Sequence, residues 1–169
     1  EDVLCGEHQF KACHRAMIEL GMEPGGSSLD SYEVPYHKED GALYIELHKS
    51  LFPRESDIFS DCNRFFDDCF DRLIDVQGDP VATLNHTDHM LYLILHAFKH
   101  FLHAGFGIRQ VCDMVLYANA FGSEIDWEYV QTKCRSLRAD RFAAALFDIG
   151  EKYLGFVPEK ACYPYSWKQ

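Results

Sequence analysis

Two things are missing from this chain. No apolar run approaches the ~20 residues that a membrane-spanning helix needs. Nor is there a surplus of positive charge: 16 Lys and Arg stand against 27 Asp and Glu, a formal net charge of −11. Proteins that track along nucleic acid need a broad basic footprint, so extended nucleic-acid binding is excluded as an expectation. A nucleotide held in a local basic pocket with its own magnesium stays compatible with this charge. Repeats and low-complexity segments are absent too. The seven cysteines are an odd number, which suits no closed disulfide framework.

What is present suits a folded protein. With 169 residues, 47% of them hydrophobic and 14% aromatic, the chain can bury a proper core as one domain or two small lobes. Its most informative stretch runs from residue 85 to 113, NHTDHMLYLILHAFKHFLHAGFGIRQVCD, and holds five of the nine histidines. At about 100° per residue, His89, His96, His100 and His103 fall in a stripe roughly 60° wide. Leu91, Ile94, Leu95, Ala97, Phe98, Phe101 and Leu102 fill the rest of the circle, apart from Tyr92 and Lys99. This pattern predicts a mostly buried helix with one polar seam made almost wholly of imidazole.

The seam has two explanations of equal weight. Rings spaced i, i+4, i+7 (His96, His100, His103) can gather above one spot and bind a metal or a phosphorylated ligand. Alternatively, each ring packs at the core edge and hydrogen-bonds a nearby carbonyl or acid. No Cys or acid stands among them at zinc-like spacing, although Asp88 and Asp113 flank the helix.

The rest of the chain reads as α+β. Val3-Leu4-Cys5 has the character of a strand end, and residues 7 to 20 form a helix on Phe10, Cys13, Ala16, Met17 and Leu20, stopped by Gly21. Two short strands follow, Tyr32–Tyr36 and Ala42–Leu47, joined by the turn Lys38-Glu39-Asp40-Gly41. Pro35 hints at an edge position. In the second strand Leu43, Ile45 and Leu47 face one way, and Tyr44, Glu46 and His48 the other. A site could be built where Glu46 and His48 share a face, although alternation alone favours a solvated sheet face.

Residues 56 to 73 predict a helix whose acids (Asp57, Asp61, Asp67, Asp68, Asp71) form a solvated face. A short extended stretch from Ile74 to Leu84 leads to the histidine helix, which Gly105 and Gly107 break. Three more helices are expected: Ile108 to Phe121, ended by Gly122; one capped by Asp126; and 139 to 154, closed by Gly155. The tail from Pro158 is expected to be irregular and packed on the surface. The layout is a small α/β lobe over 1–52 and a helical lobe over 53–169.

The run His96-Ala97-Phe98-Lys99-His100, followed by Gly107-Ile108-Arg109, Asp113 and Ile125-Asp126-Trp127, resembles the uncharacterised nucleotidyltransferase family. That family is a branch of the polymerase-β-like nucleotidyltransferase superfamily. The N-terminal part agrees in order, from Glu1-Asp2-Val3-Leu4 through a helix ending in Leu20-Gly21 to Ile45-Glu46-Leu47-His48.

The resemblance implies an α+β nucleotidyltransferase-like fold with a C-terminal helical lobe. It also implies transfer of a nucleoside monophosphate from an NTP to an acceptor, with two Mg2+ ions held by acids. Asp2 takes the place of the second acid of the superfamily's pair, with Glu1 as the intervening residue. Glu46 takes that of the third acid, on its hydrophobic–acid–hydrophobic pattern. The first acid and a glycine turn are then expected before Glu1, which makes the chain a fragment beginning inside the motif. His48, Lys99, His100 and Arg109 are the expected nucleotide-binding groups. His96, His103 and Asp113 support them, with Asp113 orienting Arg109 or a histidine and the seam turned toward the α/β lobe.

Two other classes compete. One is a non-catalytic nucleotide- or partner-binding module, antitoxin-like or a degraded transferase. The other is an all-helical metal-dependent phosphohydrolase. The phosphohydrolases grip metal with an adjacent His-Asp pair, and this chain has no such dipeptide; Asp88-His89 has the reverse order.

On one continuous helix over 56–73, Cys62 and Cys69 would have Cα atoms about 10 Å apart, too far for a disulfide. Reduced thiols in a cytosolic protein are the simplest account. Thiol titration of the denatured, unreduced protein should therefore find all seven; recovery of five or fewer would mean a disulfide.

Overall fold

The structure, a computed structural model, describes residues 2–26, 28–38, 41, 43–56, 59–76, 78, 81–103, 105 and 107–167, with the side chain of Tyr165 excepted. The parts expected of Glu1, Glu39, Asp40, Ala42 and Asp57 lie outside the described residues. The architecture is α+β. It divides into two compact units, Glu1–Arg64 and Phe65–Gln169.

The first unit is a four-stranded sheet with one long helix. Its strands are β1 (Asp2–Leu4), β2 (Glu23–Pro24), β3 (Glu33–His37) and β4 (Tyr44–His48), in the order β1-β4-β3-β2. β1 runs parallel to β4, and β3 is antiparallel to both of its neighbours. Helix α1 (Gly6–Glu19) connects β1 to β2. Its apolar face brings Phe10, Cys13 and Met17 onto Val34, Tyr36, Ile45 and Leu47 of the sheet. The other sheet face is thereby left to Asp2, Glu33, Glu46 and His48, because side chains alternate along a strand.

Gly21 stops α1, as the sequence requires. Its φ of +75° suits glycine, and Met22 N–H donates to Met17 O at 3.0 Å, closing the left-handed turn. Pro35 does not mark an edge strand, since β3 lies between β4 and β2. The even-numbered residues of β3 bond to β4, as Lys49 N–H to Tyr32 O (2.8 Å) and Lys38 N–H to Leu43 O (3.2 Å) illustrate. The missing N–H of Pro35 therefore falls on the side of β2, which is only two residues long.

The helix expected over 56–73 is broken. Its described part is one turn of α-helix, α2 (Ser60–Asn63), followed by 3-10 turns at Arg64–Phe66 and Cys69–Arg72. Of the apolar side expected for that helix, Phe59, Phe66 and Cys69 are buried and Leu73 is exposed, and 3-10 turns present buried positions as well as an α-helix does. Asn63 uses its side-chain amide to bracket Phe52, accepting from its N–H and donating to its C=O, each at 3.0 Å. Aspartate, frequent in this stretch, is a poor residue for a helix interior. The division between the two units falls within the same stretch.

The second unit opens with a two-stranded ribbon, β5 (Ile74–Asp75) with β6 (Ala82–Thr83), and continues as four helices. These are α3 (His86–His103), α4 (Ile108–Phe121), α5 (Trp127–Ser136) and α6 (Asp140–Tyr153). Asn85 caps α3, its Oδ1 accepting from the N–H groups of Thr87 and Asp88 at 3.0 Å each. Asp126 caps α5 by accepting from Tyr129 N–H at 2.9 Å. Met90, Leu91, Ile94, Leu95 and Ala97 of α3 are fully buried, whereas Phe101 and Leu102 near its end are about half exposed.

The tail is a core element, contrary to the surface position expected of it. Tyr163 and Trp167 are buried around Trp127 and Phe147, with Trp127 and Tyr163 edge to face at 5.2 Å. Trp127 Nε1–H donates to Ala161 O at 2.9 Å. All seven cysteines are free. Burial pushes the Cys5 and Cys62 thiols up to about 12, so neither is a reactive thiolate at neutral pH.

Gly122 follows α4 with an ordinary helical φ of −58°, so its glycine is needed for space and not for backbone freedom. A Cβ there would stand 2.4 Å from Cα and O of Ala161. Gly122→Ala should therefore lower stability by at least about 2 kcal/mol, read as a reduced denaturation midpoint; an unchanged midpoint would show that the tail yields freely.

Candidate active site

Three short strands position the candidate site, and their register determines which side chains meet. Asp2 lies opposite Glu46 across the parallel β1–β4 pair, and Leu4 opposite His48. Across the antiparallel β4–β3 pair, His48 lies opposite Glu33. Asp2, Glu46 and His48 each offer one ligand atom within 4.8 Å of the other two. His48 Nε2 stands 3.9 Å from both Asp2 Oδ1 and Glu46 Oε2, while Nδ1 stands 3.8 Å from Glu33 Oε2.

The side chains of the three acids are about 30% exposed, yet His48 is buried at 1%. Neither of its ring nitrogens has a hydrogen-bond partner. A buried polar group left so costs about 1–3 kcal/mol and calls for an explanation, of which an ion or a water at the group is one. Two tyrosines frame the imidazole. Tyr32 packs its ring edge toward His48 at 6.2 Å. Tyr44 donates to Glu46 Oε1 at 3.0 Å, which leaves Oε2 as the oxygen nearest the histidine. Burial raises the Tyr32 hydroxyl above its ordinary value, helped by a hydrogen bond to Glu33 and by the charges of Glu46 and Asp2. The negative potential of the acids is thus felt across the whole face.

The profile of the family described as uncharacterised nucleotidyltransferase matches residues 2–155. The chain belongs to this family. No curated protein and no solved structure matches it.

In this nucleotidyltransferase family member, then, the two expected acids share one sheet face, and His48 lies between them. Glu33 was not singled out in the sequence, although its signal was there: a hairpin whose two strands alternate must set some residue of the first opposite His48. Acids and aromatic rings on opposed strands of an open face are the pattern to search for.

The other expected site residues lie in the second unit. His96 and His100 form a pair, Nε2 to Nε2 at 3.0 Å, and Tyr92 stacks on His96 at 5.2 Å. Lys99 is buried, while His103 and Arg109 are exposed. His89 leaves this group and stacks on Tyr117 of α4 at 4.4 Å. Asp113 joins His89, Leu93, Leu116, Tyr117 and Phe121 in the lining of a pocket of about 430 Å³ between α3 and α4.

At the start of α3, Asp88 is fully buried, and burial raises its carboxyl above the usual range. It accepts from Asn85 Nδ2 at 2.6 Å and faces Arg72 at 3.3 Å. Held by Asn85 and by the partly exposed Arg72, Asp88 is explained by architecture.

Burial, with a smaller contribution from His86, holds His89 below the ordinary histidine value of 6.5. The unfolded chain therefore takes up this proton at a higher pH than the folded protein does. Stability associated with neutral His89 is present above about pH 6.5 and is lost as pH falls toward the folded-state value. His89→Phe, which keeps a ring on Tyr117, should flatten the fall in melting temperature between about pH 7 and pH 5; an unaltered slope would remove His89 from the balance.

Proposed function

We propose that the protein transfers a nucleoside monophosphate from an NTP to an acceptor, with Mg2+ held by Asp2 and Glu46. One observation supports this reading: the parallel register sets Asp2 and Glu46 opposite each other on the sheet face that α1 does not cover. An imidazole with no hydrogen-bond partner beside them makes the donor set suitable for a divalent cation. When bound, magnesium neutralises phosphate charge and lowers the barrier to attack.

The chain's own part is to orient. Tyr44 fixes one oxygen of Glu46 and turns the other inward. β1 holds Asp2 in register with it. An acceptor hydroxyl oxygen then bonds to the α-phosphorus as the bond to the β-phosphate breaks. Pyrophosphate leaves, and the hydroxyl proton passes to solvent. Lys99, His100 and Arg109 are proposed as nucleotide-binding groups on the chemical ground that triphosphates need cationic or hydrogen-donating partners.

The competing reading is a binding module that keeps the fold without the reaction. Incubation with α-labelled NTPs, Mg2+ and a mixture of small-molecule and protein acceptors separates the two. Transfer of label should fall at least about 100-fold in Glu46→Gln, with the melting temperature little changed because the side chain is partly exposed. Nucleotide affinity without transfer under any condition would favour the binding module. His100→Ala and Arg109→Ala should weaken nucleotide affinity while leaving the melting temperature in place; a large fall in melting temperature with affinity intact would assign them to packing.

A further inference from the structure

We infer that His48 is itself a ligand of the divalent cation, through Nε2, and that Glu33 positions it through Nδ1. This rests on the metal reading of Asp2 and Glu46 and extends it, from an all-oxygen acidic pair to a mixed nitrogen–oxygen centre.

The geometry separates this from a structural histidine. A protonated imidazole held by carboxylates for packing would make charge-assisted hydrogen bonds of about 2.7–2.9 Å. Here the separations are 3.9, 3.9 and 3.8 Å, and both nitrogens lack hydrogen bonds. Ligand atoms 3.9 Å apart are too distant to bond each other. They are close enough to share one ion, whose bonds to nitrogen and carboxylate oxygen are about 2.1 Å long. The ring is 1% exposed, so water has little access to these nitrogens.

The two nitrogens also have different surroundings. Nε2 is aimed at the two metal-type acids, and Nδ1 at Glu33 on the neighbouring strand. Histidine ligands ordinarily donate their second ring N–H to a carboxylate, which fixes the tautomer and raises the basicity of the coordinating nitrogen. Glu33 stands on the correct side for that role. It is itself held by Tyr32, whose hydroxyl is hydrogen-bonded to it.

A nitrogen ligand changes which metal is preferred. Magnesium favours oxygen donors, whereas imidazole adds affinity for first-row transition ions, least for Mn2+, which makes Mn2+ the most demanding probe of the series. The site is therefore expected to hold Mn2+ more tightly than Mg2+, with His48 responsible for the difference.

Mn2+ titration of the whole chain, followed by electron paramagnetic resonance, gives the affinity. Electron spin-echo modulation of the bound ion reports a directly bonded 14N, independently of any enzymatic activity. The wild type should show 14N coupling. In His48→Gln the coupling should disappear and the ratio of Mn2+ to Mg2+ affinity should fall at least about tenfold. In Glu33→Gln the coupling should remain while Mn2+ affinity falls about 10- to 100-fold. Bound Mn2+ without 14N coupling in the wild type, or coupling that survives in His48→Gln, overturns the inference and leaves the two-acid site standing. If the wild type binds no Mn2+, the metal reading falls and this inference falls with it. The wild-type spectrum needs no variant, so poor folding of His48→Gln would not shield the proposal.

Discussion

Three residues of parallel pairing, Asp2 to Leu4 against Glu46 to His48, are what the candidate site depends on. Parallel pairs are no stronger per residue than antiparallel ones, and β1 is short. Its register decides which side chains meet, because a slip of one residue would exchange Asp2 and Val3 between the two faces of the sheet. Helix α1 reinforces it: Cys5 N–H donates to His48 O at 3.0 Å immediately before the helix begins. One backbone bond thus links the end of β1, the start of α1 and the residue whose side chain carries the site. Chemistry on one sheet face is aligned by core packing on the other.

The second unit solves a different problem, that of ending and joining helices with partners for backbone groups at their ends. Asn85, Asp126 and Gln110 satisfy the N-termini of α3, α5 and α4, the last through Gly107 N–H to Gln110 Oε1 at 2.9 Å. Asn119 does the same for the tail, with its amide bonded to Gly155 O and Val157 N–H at 2.9 Å each. The tail can then bring Tyr163 and Trp167 into the core beneath Trp127. Its backbone approaches Gly122 so closely that no side chain fits there.

Much of this was legible in the sequence where the signal is local. The break of the histidine helix at Gly105 and Gly107, the stop at Gly21 and the cap at Asp126 follow from backbone and side-chain chemistry within one turn. Asp2 and Glu46 were singled out through the family resemblance, and their standing opposite each other needed a register that alternation alone leaves open. The misreadings all involve contacts distant in sequence. Asn63 competes for the backbone of Phe52, the tail packs under Trp127, and Pro35 is tolerated inside a sheet because β2 is too short to need its N–H. The histidine seam was read as one stripe. His96 and His100 do meet, whereas His89 turns to Tyr117 of α4, because helix periodicity tells which residues share a face but not what each ring meets.

The charge of the site makes its chemistry more specific than its geometry does. Two unit charges 4 Å apart near a protein surface interact by about 4 kcal/mol, so Asp2, Glu33 and Glu46 around one imidazole are a costly arrangement. A protonated ring offsets one of the three negative charges. A divalent cation offsets two and leaves the ring neutral, with its second nitrogen still able to donate to Glu33. In the reaction proposed above, the same cation also removes the obstacle to a triphosphate approaching a carboxylate face of an acidic chain. On the proposed function, substrate affinity and relief of the site's own repulsion come from a single ion, which gives a physical reason for acids on a face that receives an anion.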